Sequence, residues 1–179
     1  MASLEVIALV LTGLSITASI IYYANVLSNA NKTQELQLET RQAQLFMQSY
    51  RETSTVELQT ICFELMAWHW TDYEDFNTKY LSQPKEMGKF VTYMLFWHGL
   101  GVLLHENYIP KETFYKMDQD GAAPIMFWEK FKQVTMSMRN ARNDPNLFKY
   151  FEYYVEEMIK LRKKNGLPVT WSINETRFV

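Results

Sequence analysis

Residues 6–27 read VIALVLTGLSITASIIYYANVL and contain no charged side chain. As a helix with a rise of 1.5 Å per residue, this run spans about 30 Å, which matches the hydrocarbon core of a bilayer. Its hydroxyl groups are compatible with lipid because they can bond to backbone carbonyl oxygens one turn earlier. The run therefore predicts an N-terminal transmembrane anchor over residues 1–29.

Two other interpretations of the run stay open. A cleaved signal peptide would need a basic N-terminal region, a shorter apolar core and a cleavage site with small residues. Here Glu5 is the only charge before the run, and residues 18–24 offer no clear cleavage site. A buried helix of a soluble protein is the second alternative, although the rest of the chain has ample apolar residues for its own core.

The residues at the end of the run predict its position and orientation. Tyr22 and Tyr23 lie where an interfacial aromatic belt is expected, and Lys32 follows them on the water side. No basic residue precedes the run, whereas Lys32 and Arg41 follow it. By the positive-inside rule, this asymmetry predicts a single-pass protein of the cell membrane with its remaining part in the cytoplasm.

A stripe of small residues runs along the predicted anchor. Ala8, Thr12, Ser15 and Ser19 follow alternating steps of four and three, which places them on one side of a helix. Small residues let helix backbones approach closely in lipid, so the stripe predicts a seam for self-association. The alternative is that these hydroxyls only bond their own backbone.

The rest of the chain is predicted to be helical. Residues 30–50 are rich in Gln, Glu, Leu and Ala and predict a helical stalk, followed by a soluble domain over 51–168 and a tail over 169–179. No segment has the period of two that is typical of a strand. The predicted fold is therefore all-α: a transmembrane helix that continues into a stalk, followed by a compact multi-helix soluble domain.

Capping patterns predict where the helices of this domain begin. Ser54-x-x-Glu57 and Thr71-x-x-Glu74 have the form of capping boxes. Asp144 followed by Pro145 is typical of a helix start, as is a proline in the first turn at Pro84 and Pro110. Gly99 and Gly101 interrupt one apolar pattern and predict close helix packing or a kink. The expected core comprises Phe90, Met94, Phe127, Phe131, Phe151 and Tyr154.

The sequence offers little evidence for chemistry. The net charge of −2 gives no indication of nucleic-acid binding, and the single cysteine, Cys62, is predicted to be buried and unreactive. The chain has no nucleotide-binding loop, zinc signature or hydrolase motif. His98 and His105 lie seven residues apart and could share a helix face, but a structural role is favoured over metal binding. No catalytic, cofactor-binding or metal-binding residue is predicted.

Two local motifs have a functional and a structural interpretation. The sequence Trp68-His69-Trp70 could enclose a cation between aromatic rings, or it could simply end an amphipathic helix. The second motif is a basic run. It could be a solvated last helical turn, or it could contact anionic lipid headgroups. Its members are Lys160, Arg162, Lys163 and Lys164.

A set of packing residues carries a family resemblance over nearly the whole chain. It comprises Phe96, Gly99, Gly101-Val102-Leu103-Leu104, Tyr108-Ile109, Trp128-Glu129-Lys130-Phe131, Arg139 and Phe151-Glu152-Tyr153. Together with the N-terminal run, this set resembles DUF4760, a family of short, N-terminally anchored helical prokaryotic proteins. The resemblance implies a fold and a location but no catalytic residue, because the family has no established activity. Where the family would be expected to place an acidic residue, this chain has Trp97-His98.

The leading functional hypothesis is a non-enzymatic, membrane-anchored interaction or scaffold protein, with homo-oligomerisation left open. Its expected partners are the lipid bilayer and either a second copy or a protein of a membrane complex, and not nucleic acid. The alternative is an accessory subunit of a larger membrane protein complex. A third hypothesis is an enzymatic or ligand-sensing domain with a pocket among its aromatic residues.

Overall fold

The computed structural model of the chain describes residues 2–117 and 120–169, and this part contains helices and no strand. The all-α prediction is therefore confirmed. In chain order the elements are α1 (Ala2–Thr53), α2 (Val56–Ala67), α3 (Tyr73–Phe76) followed by a π-helical segment (Asn77–Leu81), α4 (Pro84–His105), α5 (Lys111–Met117), α6 (Ala122–Arg142) and α7 (Lys149–Lys164).

The chain divides into two units, Met1–Gln44 and Leu45–Val179, and the division falls inside the predicted stalk. Within the first unit, the apolar side chains of α1 are exposed, for example Leu9 at 74% and Leu14 at 62%. The hydroxyls of Thr12, Thr17 and Ser19 each donate to the backbone carbonyl four residues earlier, at 2.8–2.9 Å. The helix therefore satisfies these polar groups internally, as lipid requires.

Among the described residues, two helices are long and apolar enough to cross a membrane. The first is α1, whose most apolar window has a mean hydropathy of 2.1 and is not buried at all. The second is α4, with a mean hydropathy of 1.2, but many of its side chains are buried in the second unit. By length and composition α1 meets the requirements of a membrane anchor or a signal sequence, whereas α4 is a core helix.

The core of the second unit is aromatic and centres on α4. The Phe90 ring of α4 lies 5.5 Å from Phe76 and 5.4 Å from Phe131 between centroids, and α4 packs most extensively against α7. All six predicted core residues are buried, which confirms that prediction. They are Phe90, Met94, Phe127, Phe131, Phe151 and Tyr154.

Close packing, one of the two possibilities predicted for the glycines of α4, is found at Gly101. A Cβ atom at this position would overlap the backbone carbonyl of Tyr150, so only glycine lets α7 approach this closely. A Cβ atom at Gly99 would meet nothing within 4 Å. The helix continues through both glycines as far as His105.

Neither predicted capping box forms, and the N-cap of each helix lies one residue later than predicted. Thr55 rather than Ser54 caps α2, with its hydroxyl accepting from the Leu58 amide at 3.2 Å. The Ser54 hydroxyl instead donates to the carbonyl oxygen of Tyr50 at 2.8 Å. At α3, Asp72 rather than Thr71 is the N-cap, and its carboxylate accepts from the Asp75 amide. The Asp75 carboxylate in turn accepts from the Thr71 amide, one residue before the N-cap.

The predicted start of the last helix at Asp144-Pro145 is wrong. Helix α7 begins at Lys149, after Phe148 at a φ of 54°. The Asp144 carboxylate accepts from the Asn146 amide at 3.0 Å, so it stabilises a local turn and not a helix end. Arg139 holds the following segment by donating to the Leu147 carbonyl oxygen at 2.9 Å.

The other predicted helix starts agree with the structure. Pro84 lies in the first turn of α4, α5 follows Pro110 directly, and α6 covers the expected residues 122–142. Gly166, at a φ of 68°, follows the end of α7 as expected. Residues 118–119 of the predicted turn and residues 170–179 of the predicted tail lie outside the described residues.

Candidate functional site

An apolar cleft of about 310 Å³ lies between α2, α4 and the beginning of α6, within the second unit. The end of α1 and the end of α5 complete its walls. Its volume is in the range of small-molecule and peptide side-chain pockets. The lining residues are Thr53, Leu58, Gln59, Cys62, Phe63, Met66, Tyr93, Phe96, Trp97, Met117, Ala123, Met126 and Phe127.

Helical spacing explains why these side chains meet. Leu58, Cys62 and Met66 are four residues apart and therefore share one face of α2. Trp97, which is 3% exposed, belongs to the buried wall of the cleft, whereas Phe63 is 59% exposed. The cleft therefore combines a rigid aromatic wall with an accessible apolar residue.

The described lining is suited to binding and not to acid–base chemistry. It contains no carboxylate, imidazole or ammonium group, and its polar side chains are those of Thr53, Gln59, Cys62, Tyr93 and Trp97. Burial raises the pKa of the Cys62 thiol, and a hydrogen bond with Tyr93 offsets only part of this rise. Cys62 is half-buried, whereas the sequence predicts a buried thiol. Its raised pKa lowers the fraction of reactive thiolate, and its low reactivity stays a prediction.

Methionine side chains make the cleft able to accept an apolar guest. Met66, Met117 and Met126 line it, and methionine side chains adapt readily to different apolar surfaces. The indole Nε1 of Trp97 is buried and has no hydrogen-bond acceptor among the described residues. A buried donor without an acceptor typically costs about 1–3 kcal/mol.

The apolar surface continues from the cleft along α4. Two shallower grooves adjoin it, and both contain Leu95, Phe96 and Glu52. Phe96 also lines the cleft, and Leu95 is 53% exposed. Partners larger than a single side chain would therefore find further apolar contacts next to the cleft.

The Trp68-His69-Trp70 segment does surround a cation, but the cation is the protein's own Lys130. Its ammonium group lies 5.2 Å from the centroid of the Trp70 ring. It also donates to the backbone carbonyl oxygens of Met66 at 2.7 Å and Trp68 at 2.9 Å, at the end of α2. The Trp68 ring stacks on Tyr80 with centroids 3.9 Å apart. The structural interpretation of the motif is therefore the better one.

The two histidines of α4 pack against aromatic rings. Both lie close to Tyr150, with centroids 5.3 Å away for His98 and 5.2 Å for His105. Burial lowers the pKa of His98, and the positive charge of Lys149 lowers it further. The His105 Nδ1 atom lies 2.9 Å from a Glu106 carboxylate oxygen. In residues 2–117 and 120–169, no group of three or more His, Cys, Asp or Glu side chains is arranged to hold a metal.

A model of a known protein family matches most of this chain. The family model "Domain of unknown function (DUF4760)" matches residues 4–158. The chain belongs to the DUF4760 family. The match extends from the N-terminal apolar run to Met158 in α7, so it includes every described residue that lines the cleft. No curated protein and no solved structure matches the chain.

In this DUF4760 chain the basic run at the end of α7 is only partly solvated. Lys163 and Lys164 are exposed, and Lys160 pairs with Glu157 at 2.6 Å. Arg162, in contrast, is 6% exposed. The prediction of a solvated turn is therefore wrong for Arg162.

The predicted site residues of the first unit all lie on α1 of the DUF4760 chain. Tyr22 is 64% exposed and Tyr23 is 69% exposed, and their rings meet edge to face with centroids 5.6 Å apart. Lys32 is exposed, as are the four seam residues Ala8, Thr12, Ser15 and Ser19. Their roles at a membrane interface and in a seam stay predictions.

The sequence allows a pocket among aromatic residues as one hypothesis but does not predict which residues line it. The spacing of Leu58, Cys62 and Met66 predicts only that this face of α2 is covered. In the structure the cleft lies where these side chains meet residues of α4 and α6, among them the small residue Ala123. Sequence periodicity identifies a helix face but does not give the distance to the next helix.

Proposed function

We propose that this DUF4760 protein is a single-pass protein of the cell membrane whose second unit is a non-enzymatic interaction domain in the cytoplasm. The observation that carries the proposal is the uncharged run of α1, whose large apolar side chains are at least 46% exposed from Val6 to Leu27. A continuous apolar surface of this length is unfavourable in water and favourable in lipid. Self-bonded hydroxyl groups in α1 support the same environment.

The orientation follows from charge. Lys32 and Arg41 come after the run, and Glu5 before it is not balanced by any basic residue. Two reporter enzymes fused after residue 179 test this orientation. We expect a reporter that works only in the cytoplasm to be active and a reporter that works only outside it to be inactive. A fusion that is active only outside the cytoplasm would reverse the topology. Tyr22, Tyr23 and Lys32 would then mark the opposite face of the membrane.

The cleft supports the interaction role. Its described lining offers apolar contacts and adaptable methionines, and the groups that general acid–base catalysis requires are not among them. We assign it to an apolar segment of a protein partner. An accessory subunit would use the same surface toward other members of one membrane complex, so the two hypotheses differ only in the identity of the partner.

The exposed residue Phe63 allows a direct test of the cleft. We expect Phe63→Asp to reduce recovery of the partner from native membranes in mild detergent by about tenfold or more, because an apolar hot spot is replaced by a charge. The matched control is Tyr108→Asp, since Tyr108 is 53% exposed and does not line the cleft. Recovery of the same proteins with both variants would exclude the cleft as the docking surface.

Ligand sensing is a second candidate, and the volume of the cleft favours it. A pocket of about 310 Å³ is large enough for a small apolar molecule. Native mass spectrometry of the purified protein distinguishes the two candidates. A stoichiometric small molecule that is lost in Phe63→Asp would favour ligand sensing over a protein partner.

Self-association through the seam is part of the proposal. The Thr12 and Ser19 hydroxyls are already bonded within α1, so an approaching helix would use the small size of these residues. We expect the double variant Ser15→Leu/Ser19→Leu to be monomeric in lipid, where the unaltered protein forms a defined oligomer. The control Gly13→Leu/Thr17→Leu fills the opposite side of the helix and should leave the oligomer intact. Identical oligomeric states in all three proteins would contradict self-association through the seam.

A further inference from the structure

Arg162 connects Pro168, near the end of the described chain, to Asp120, two residues before α6. Its Nε atom donates to the Pro168 carbonyl oxygen at 2.7 Å, and one of its terminal nitrogens donates to the Asp120 carbonyl oxygen at 2.8 Å. Both carbonyls are thus held by one guanidinium group, which is itself 6% exposed. The chain leaves this position at Val169.

Asp120 lies close in sequence to two residues that line the cleft. They are Met117 and Ala123, each three residues from Asp120. Gly121 packs against α7, because a Cβ atom at Gly121 would lie only 2.8 Å from the Met158 Cβ atom. Pro168, which shares the Arg162 guanidinium with Asp120, is therefore close to this side of the cleft.

The sequence beyond Val169 is suited to the cleft. It reads TWSINETRFV, and its first apolar residues are Trp171 and Ile173. Trp171 is two residues and Ile173 four residues beyond Val169. At about 3.3 Å per extended residue, they can reach about 7–13 Å from it. The described lining is aromatic and methionine-rich, as an indole ring requires.

We propose that the segment Trp171–Ile173 occupies the apolar cleft of its own chain and competes there with the partner. Tethering makes the contact intramolecular, so it forms at a high effective concentration even if the contact itself is weak. The competition rests on the proposed function, whereas occupation of the cleft does not.

Cys62 provides the test, because it is the single cysteine of the sequence and lines the cleft. In the full chain, we expect Ile173→Cys to form an intrachain disulfide with Cys62 under copper–phenanthroline at least about tenfold faster than Arg177→Cys, whose tether is only four residues longer. Peptide mapping identifies the bond, and Ile173→Cys/Cys62→Ala should form none. Equal rates for the two tail positions would overturn the proposal. Interchain disulfides would also overturn it, since they would place the tail in a second copy.

A second measurement needs no introduced cysteine. We expect Trp171→Ala to increase the rate of maleimide labelling of Cys62 by about fivefold, because an occupied cleft protects the thiol from reagent. Phe178→Ala is the matched control and should leave the rate unchanged. An unchanged rate in Trp171→Ala would contradict occupation of the cleft by this segment. Neither measurement uses the partner, so a failed partner experiment with Phe63→Asp leaves this result standing, and the converse also holds.

Discussion

Replacement of Gly101 by alanine is expected to destabilise the helical unit by about 2–4 kcal/mol, since overpacking against a fixed neighbour costs about 1–3 kcal/mol and occasionally more. The added Cβ atom would overlap the carbonyl oxygen of Tyr150, which is part of the α7 backbone and cannot move aside by changing a rotamer. Relief requires α4 and α7 to separate, and these two helices form the most extensive helix contact of the unit.

Gly99→Ala is the matched control for Gly101→Ala. Both glycines lie in α4, but a Cβ atom at Gly99 would have nothing within 4 Å. Alanine is the better helix former by about 0.5–1 kcal/mol, so Gly99→Ala should be neutral or stabilising. Urea denaturation followed by circular dichroism in mild detergent measures both. Equal stabilities of the two variants would show that the close approach of α4 and α7 is wrong.

Phe131→Ala is expected to have the largest effect, a loss of about 3–5 kcal/mol of unfolding free energy, as is typical for a deleted core phenylalanine. Phe131 is fully buried, and its ring centroid lies 4.6 Å from Phe127 and 5.2 Å from Trp70. The cavity would border α3, α4 and the tryptophans that follow α2. Typical domain stabilities are about 5–15 kcal/mol, so the variant would be partly unfolded at 37 °C if the unit is marginal.

The same denaturation experiment with Phe63→Ala provides the control for Phe131→Ala. Phe63 is 59% exposed, and surface substitutions usually change stability by no more than about 0.5 kcal/mol. Phe131→Ala should unfold at clearly lower urea concentration than Phe63→Ala. Coincident unfolding curves would mean that the aromatic cluster is not the core of the unit.

Periodicity was sufficient to predict the helices and the core. The spacing of Phe127, Phe131, Val134 and Met138 gave both the extent of α6 and its buried face, because a helix with one apolar stripe has only one way to cover it. The proline in the first turn of α4 was equally informative. These features are local, and the structure agrees with them.

Two kinds of feature could not be predicted from the sequence: the choice between neighbouring capping residues, and contacts between residues far apart in the chain. Asp72 replaces Thr71 as a cap because a carboxylate competes with a hydroxyl one residue away, and both patterns are present in the sequence. The basic run gave no indication that Arg162 is buried, because its acceptors are backbone carbonyls of Asp120 and Pro168. The cleft likewise depends on distances between helices.

The central claim is that residues 6–27 anchor this DUF4760 protein in a membrane, and intact-mass measurement after alkaline extraction of native membranes tests it most directly. The account predicts that the protein stays in the extracted membranes and that its mass includes residues 6–27. Release into the supernatant, or a mass that lacks these residues, would contradict the anchor and would identify the run as a soluble helix or a cleaved signal sequence, respectively.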